Sequence, residues 1–146
     1  MKTNNFVIRN YKSEDFSSIM HLWQTTGLDT PGRGDNENII EQTISVGGRL
    51  FVMLDESKGK IIGTSWLTSD GRRLYLHHFG ILPRYQGRGL SKLLLSKSLE
   101  FAKEIGQQVK LEVHKNNTIA RNLYKKASFK YLGDYEVYII RDISVL

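Results

Sequence analysis

The chain contains no cysteine, so disulfides and thiolate chemistry are excluded. It has no apolar run approaching the roughly eighteen residues that a membrane-spanning helix needs. Its first residues, "MKTNNFVIRNYKSEDF", lack an apolar signal core, so a cytoplasmic location is expected. Repeats and low-complexity tracts are absent. Four histidines (His21, His77, His78 and His114) form no recognisable metal motif, and no metal is expected.

What is present is ordinary for a globular protein. Apolar residues make up 40 % of the chain and charged residues 25 %, and 146 residues are most simply one domain, 1–146, able to bury a sizeable core. The net charge of +6 suits a phosphate-bearing ligand, nucleic acid or a membrane surface. The cations recur in small groups (Arg72 and Arg73; Arg84, Arg88 and Lys92; Arg121, Lys125 and Lys126) rather than in one block. With no recognition helix and no aromatic RNA motif, a nucleic-acid partner is not expected.

Periodicity gives the order β-α-α-β-β-β-α-β-α-β-β. "FVIRNY" alternates as a strand does, and a helix follows, with Ser13 as its cap, Phe16, Ile19, Met20 and Trp23 on one face, and Gly27 as its stop. A loop rich in turn residues leads to a second short helix within "NIIEQTISVGG". Three strands, near Leu50, Ile61 and Leu74, are joined by short turns and read as an antiparallel meander. A long helix runs from about Gly87 to Ile105, and "QVKLEVH" is a strand that a strand–helix–strand passage makes parallel to the one before it. "NNTIARNLYKKA" is a last helix, and "SFKYLGDYEVYIIRDI" supplies two final strands around Gly133-Asp134. The fold class is α/β, with a mixed, mostly antiparallel sheet flanked by helices.

The stretch "RYQGRGLSKLLL", Arg84 to Leu95, fails both the Walker and the dinucleotide signatures, because Gly89 is followed by Leu90, Ser91 and Lys92. Its physics is nonetheless that of an anion site. A strand feeds a glycine turn that opens a helix, so main-chain donors from Gln86 to Ser91 converge at the positive end of the helix dipole. Gly87 and Gly89 allow close approach, and Arg84, Arg88 and Lys92 add charge. A tight turn with no ligand is the plain alternative.

"ILPRYQGRGLSKLLL" resembles the acetyl-CoA-binding core of the GCN5-related N-acetyltransferases, whose [RQ]-x-x-G-x-[GA] motif is met by Arg84-Tyr85-Gln86-Gly87-Arg88-Gly89. "NNTIARNLYKKASF" is similar to a second family motif through Asn117, Ala120, Leu123, Tyr124 and Phe129, with Ser128 where glycine is usual. The resemblance spans Phe6 to about Arg141 and implies the acyl-CoA N-acyltransferase fold. It implies that acetyl-CoA is the cosubstrate, its pyrophosphate held by Gln86, Gly87, Arg88, Gly89, Leu90 and Ser91. The pantetheine arm would pair with Phe79, Gly80 and Ile81, where a bulge near Gly80 would present an amide to the thioester carbonyl. Asn117 would hydrogen-bond the pantetheine or the adenosine-side arm. Tyr124 would protonate the leaving thiolate, its ordinary pKa of about 10 being close to that of a thiol.

The base for the acceptor amine is open between His77 or His78, Glu112 on the next strand, and ordered water. Adjacent on one strand, the two histidines should point to opposite faces. Asp29, Asp35 and Glu37 could bind a cationic amine, with Trp23 and Trp66 lining its pocket. The implied reaction is transfer of an acetyl group to a primary amine of a small molecule or peptide. The alternative is a non-catalytic acyl-CoA sensor that keeps the glycine turn. The exposed final strands offer edges on which two copies can pair as a homodimer.

Overall fold

The computed structural model describes residues 5–28 and 35–146. Two compact units, Met1–Glu112 and Val113–Leu146, are each described by themselves.

The first unit is built on a five-stranded sheet in the order β1 to β5. Its strands are β1 (Phe6–Asn10), β2 (Arg49–Asp55), β3 (Lys60–Ser69), β4 (Arg73–Ile81) and β5 (Gln108–Leu111). The first four pair antiparallel, because short turns join β2 to β3 and β3 to β4. β5 returns parallel to β4 after a helical crossover. This is the mixed, mostly antiparallel sheet that the sequence predicts.

Helix α1 (Phe16–Thr26) follows a 3₁₀ turn at Ser13–Asp15. Ser13, the expected cap, is displaced from that role. The Asp15 carboxylate instead accepts the Lys12 amide at 2.8 Å and is gripped by both terminal nitrogens of Arg9. A charge-assisted bidentate contact outweighs what a serine hydroxyl can offer. Gly27 ends the helix in the left-handed conformation. Helix α2 (Glu37–Ser45) is capped by Asn36, whose side chain accepts the Ile39 amide.

α1 and α2 cover one face of the sheet and α3 (Leu90–Ile105) the other. The Trp23 indole donates to Thr64 and that of Trp66 to Thr43, whereas the hydroxyls of Ser65 and Ser98 meet across the opposite face. Trp23 and Trp66 are wholly buried and stacked, with ring centroids 5.6 Å apart. Burial of each such side chain is worth ~2 kcal/mol or more. On the α3 side, Phe51 meets Phe101 edge-on.

The second unit holds α4 (Thr118–Lys126), whose end corrects one expectation and explains another. The Phe129 amide bonds to the Tyr124 carbonyl and the Ser128 amide to that of Lys125, a Schellman closure with Ser128 at φ +80°. The glycine missing from the second motif is therefore missing where its conformational freedom matters. The two final strands predicted within 128–143 do not form. The turn is made, with the Tyr135 amide bonded to the Leu132 carbonyl, but no ladder follows it among the described residues. An isolated hairpin is marginal without further strands to pair with, whatever its alternation.

Candidate functional site

β4 ends in a 3₁₀ turn, Pro83–Tyr85, that leads into the glycine stretch. The Leu82 amide bonds to the Ile62 carbonyl, and the Gln86 side chain donates to the Ile81 carbonyl at 2.9 Å. The buried Tyr85 ring meets Phe6 edge-on, and its hydroxyl donates to Asp55 at 2.8 Å. Hydrogen bonds from Ser57 and Tyr85 hold the Asp55 carboxyl below its ordinary range. The turn is thus pinned to β2 and β3 before the helix begins.

The helix starts later than periodicity suggests, at Leu90 rather than near Gly87, because Gly87 and Gly89 are both left-handed at φ +79°. That conformation excludes them from the helix and opens the turn. From Gly87 to Lys92 no amide has an acceptor among the described residues, and the first bond of the helix is that of Leu93 to the Gly89 carbonyl. The segment from Gln86 to Gly89 is exposed, a Cβ at either glycine would meet nothing within 4 Å, and no acid occupies the first helical turn. Arg88 lies with its guanidinium 5.2 Å from the Tyr85 ring centre. The donors, the room and the positive dipole end fit a diphosphate.

Just before this turn β4 carries a bulge. Thr64 pairs with Gly80 and Trp66 with His77, so His78 and Phe79 together oppose Ser65. The bulge therefore sits at His78–Phe79, not at Gly80. His78 adopts φ +47°, a left-handed conformation that costs of order 1–3 kcal/mol in a non-glycine residue. The buried Thr64 hydroxyl donates to its carbonyl at 2.7 Å while accepting the Trp23 indole N–H at 2.8 Å. The expectation of opposite faces for the two histidines is overturned. An extra residue shifts the alternation by one, so both rings lie on the tryptophan face, 4.6 and 5.0 Å from Trp66, with their Nδ1 atoms 2.8 Å apart. Asp35, from the loop before α2, meets His78 Nε2 at 2.8 Å. Its carboxylate is engaged there rather than left for a cationic amine.

The other predicted residues are spread more widely. Trp23 and Trp66 belong to the core and back the histidines instead of lining an open pocket. Glu112 lies just past β5, exposed, with no hydrogen bond or ion pair among the described residues. Phe79, Gly80 and Ile81 continue β4 beyond the point, Leu76 opposite Leu111, where its ladder with β5 ends. Asp29 lies outside the described residues. In the second unit, the Asn117 side-chain oxygen caps α4 by accepting the Ala120 amide at 3.1 Å, which leaves its NH₂ for any ligand. Burial pushes the Tyr124 hydroxyl up to about 12, and Phe129 packs edge-on against the ring. Sequence reasoning passed over Thr64, since a threonine in a strand carries no signal of a bulge opposite it.

Among the described residues no His, Cys, Asp or Glu cluster could hold a metal, and no helix is long and apolar enough to cross a membrane.

Residues 13–129 match the Acetyltransferase (GNAT) family, and the chain belongs to that family. Solved structures share the fold. A GNAT-family acetyltransferase from Staphylococcus aureus superposes with a TM-score of 0.76 at 20 % identity, over 90 % of this chain and 88 % of that one. A metagenomic aminoglycoside acetyltransferase in complex with trehalose, from an uncultured soil sample, gives 0.75 at 16 %, over 96 % and 99 %. A predicted acetyltransferase with acetyl-CoA from Clostridium acetobutylicum gives 0.74 at 17 %, over 92 % and 96 %. The protein is an acetyltransferase of the acyl-CoA N-acyltransferase fold.

Proposed function

We propose that this acetyltransferase transfers the acetyl group of acetyl-CoA to a primary amine of a small molecule or peptide, by direct attack, and that its 146 residues act as one catalytic domain. The observation that carries the reading is the run of unpartnered amides from Gly87 to Lys92 at the start of α3. The family match supports the single domain, since it runs across both units.

Acetyl-CoA, when bound, supplies a thioester carbonyl for the amine to attack and a thiolate that leaves. The chain's residues do the rest. The amides of Gly87, Arg88, Gly89, Leu90 and Ser91 hold the pyrophosphate, helped by Arg88, whereas the Gln86 amide expected among them already donates to the Pro83 carbonyl at 3.1 Å. Backbone groups of Phe79, Gly80 and Ile81 align the pantetheine arm, and the Asn117 amide donates to it. Tyr124 donates its proton to the sulfur. A hydroxyl pushed up to about 12 stays protonated at neutral pH and is therefore ready to give. Removal of the amine's proton falls to His77 or His78, Glu112 or water.

The test is thiol release from acetyl-CoA with spermidine, tyramine, an aminoglycoside and a lysine-containing peptide as acceptors. Release with at least one amine is expected, and Tyr124→Phe is expected to lower it by about 10²- to 10⁴-fold with coenzyme A affinity unchanged. Coenzyme A binding without turnover on any acceptor would instead mark a sensor.

A further inference from the structure

We propose that residues 135–141 form, on the β5 edge of a second copy of this chain, the strand that they do not form in their own, so that two copies exchange these segments. The inference does not depend on the acetyltransfer reading above.

From Glu136 to Arg141 no main-chain amide or carbonyl has a hydrogen-bond partner among the described residues. Such a run of open donors and acceptors is a template for a ladder. The backbone there is neither helix nor turn, and the Tyr138 hydroxyl donates to Glu136 at 2.9 Å. Residues two apart meet in this way on extended backbone, where i and i+2 lie on one side. Apolar exposure accompanies the open backbone. Ten large apolar residues between Tyr131 and Leu146 are each 55 % exposed or more. Proteins that act as single copies rarely leave a contiguous apolar patch larger than a few hundred Å². Three of the ten are tyrosines, which bury about 150–250 Å² each, so with seven aliphatic neighbours the segment offers at least the roughly 800 Å² per partner of a stable complex.

β5 supplies a matching edge. It stands last in the sheet order and pairs only with β4. Val109 and Leu111 share the face of the buried Leu74 and Leu76, while Gln108 and Lys110 are exposed. A slip of one residue would turn every side chain to the wrong face, so Tyr135 and Val137 belong with Val109 and Leu111. Antiparallel pairing of Val137 with the partner's Val109 achieves this, and it sets Glu136 against the partner's Lys110. Neither Glu136 nor Lys110 has an ion pair among the described residues, and opposite charges directly across a ladder attract. Sliding the segment two residues one way would oppose Glu136 to Glu112, and sliding it the other way would carry Val137 past the start of β5 at Gln108. Parallel pairing would forfeit the charge pair. The remaining edge, β1, offers less, because its cation, Arg9, is already held by Asp15.

One chain contains both the segment and the edge, yet the two are not paired in it among the described residues. A second copy brings the same two surfaces. Exchange about a two-fold axis makes two identical ladders and covers the β5 edge of both copies, which closes the assembly at two. Added to an existing five-stranded sheet, the segment also escapes the marginal stability of an isolated hairpin.

The chain has no cysteine, so an introduced disulfide reports the pairing directly. Val109→Cys and Val137→Cys are made as separate proteins, mixed and oxidised. A covalent two-chain species is expected from the mixture and from neither variant alone, since directly opposed strand residues lie at disulfide distance. Light scattering of the wild type should give the mass of two chains. Val137→Pro removes a ladder amide at a position exposed within one copy, and it should shift that mass to one chain with helix content unchanged by circular dichroism. Glu136→Lys should weaken the dimer about tenfold, and adding Lys110→Glu in the same chain should restore it. A wild type of single-chain mass at every concentration, or a dimer whose mixed variants do not cross-link, would overturn the exchange. So would a disulfide closed within one chain when both cysteines are placed together, which would assign the segment to its own β5. Failure of Lys110→Glu to rescue Glu136→Lys would overturn the register.

Discussion

Replacing Thr64 by valine tests the hinge on which the site turns. The hydroxyl is fully buried, accepts from the Trp23 indole at 2.8 Å and donates to the His78 carbonyl at 2.7 Å. Valine keeps the shape and deletes both bonds, which leaves the Trp23 indole N–H buried without a partner and takes one donor from the His78 carbonyl. The orphan costs about 1–3 kcal/mol and the second lost bond about 1 kcal/mol, so the substitution should destabilise by about 2–4 kcal/mol. At about 3 kcal/mol, Tm should fall by roughly 6–12 °C in a domain of this size. Thr64→Ser is the control. It keeps the hydroxyl and loses a methyl group, at a cost of ~1 kcal/mol. Urea denaturation of both variants separates the two contributions, and combining Thr64→Val with Trp23→Phe should show coupling, because the second change removes the orphaned donor. The valine variant should also lose turnover more than its residual folded fraction explains, since the bulge that aligns the histidines is no longer tied. A loss of stability no larger than that of the serine variant would show that the hydroxyl does not hold the bulge.

Further outcomes follow from the same geometry. Ser128→Gly should stabilise the protein by about 1 kcal/mol in urea denaturation, because glycine adopts φ +80° without the strain that a Cβ adds. Gly89→Ala meets no steric obstacle, yet at φ +79° it should cost ~1–2 kcal/mol of stability or shift the turn, and isothermal titration should show weaker coenzyme A binding. The carboxyl of Asp15 is pushed up by burial, but the bonds from Arg9 and the Lys12 amide outweigh this and hold it below its ordinary 3.8. A depressed carboxylate contributes stability that is present above 3.8 and lost as pH falls through its lowered value. Asp15→Asn should therefore lower Tm at neutral pH and flatten its decline in acid.

The sequence by itself determined most of the scaffold. Alternation in β1, the apolar runs of β2 to β4 bounded by turn residues, the helical stripes of α1 and α3, and the Gly87–Gly89 pair are local signals, and local signals survive translation into structure because each depends on near neighbours. The open amides at the start of α3 were legible for the same reason, since the unpaired donors of a helix start need no distant partner to be inferred. The arrangement of the histidines was not. Period-two reasoning placed His77 and His78 on opposite faces, and only the pairing of β4 with β3 inserts the extra residue that brings them together. Asp35 reaches His78 across 43 positions of chain and Thr64 reaches its carbonyl across 14, distances over which sequence spacing carries no information. The final strands failed in the opposite way. Their residue types suit strands, but a strand is a relation between segments rather than a property of one, and pairing is settled by what lies alongside. Tertiary structure alone decided which polar groups met, because burial makes an unpaired donor costly and so fixes partners that no local pattern names.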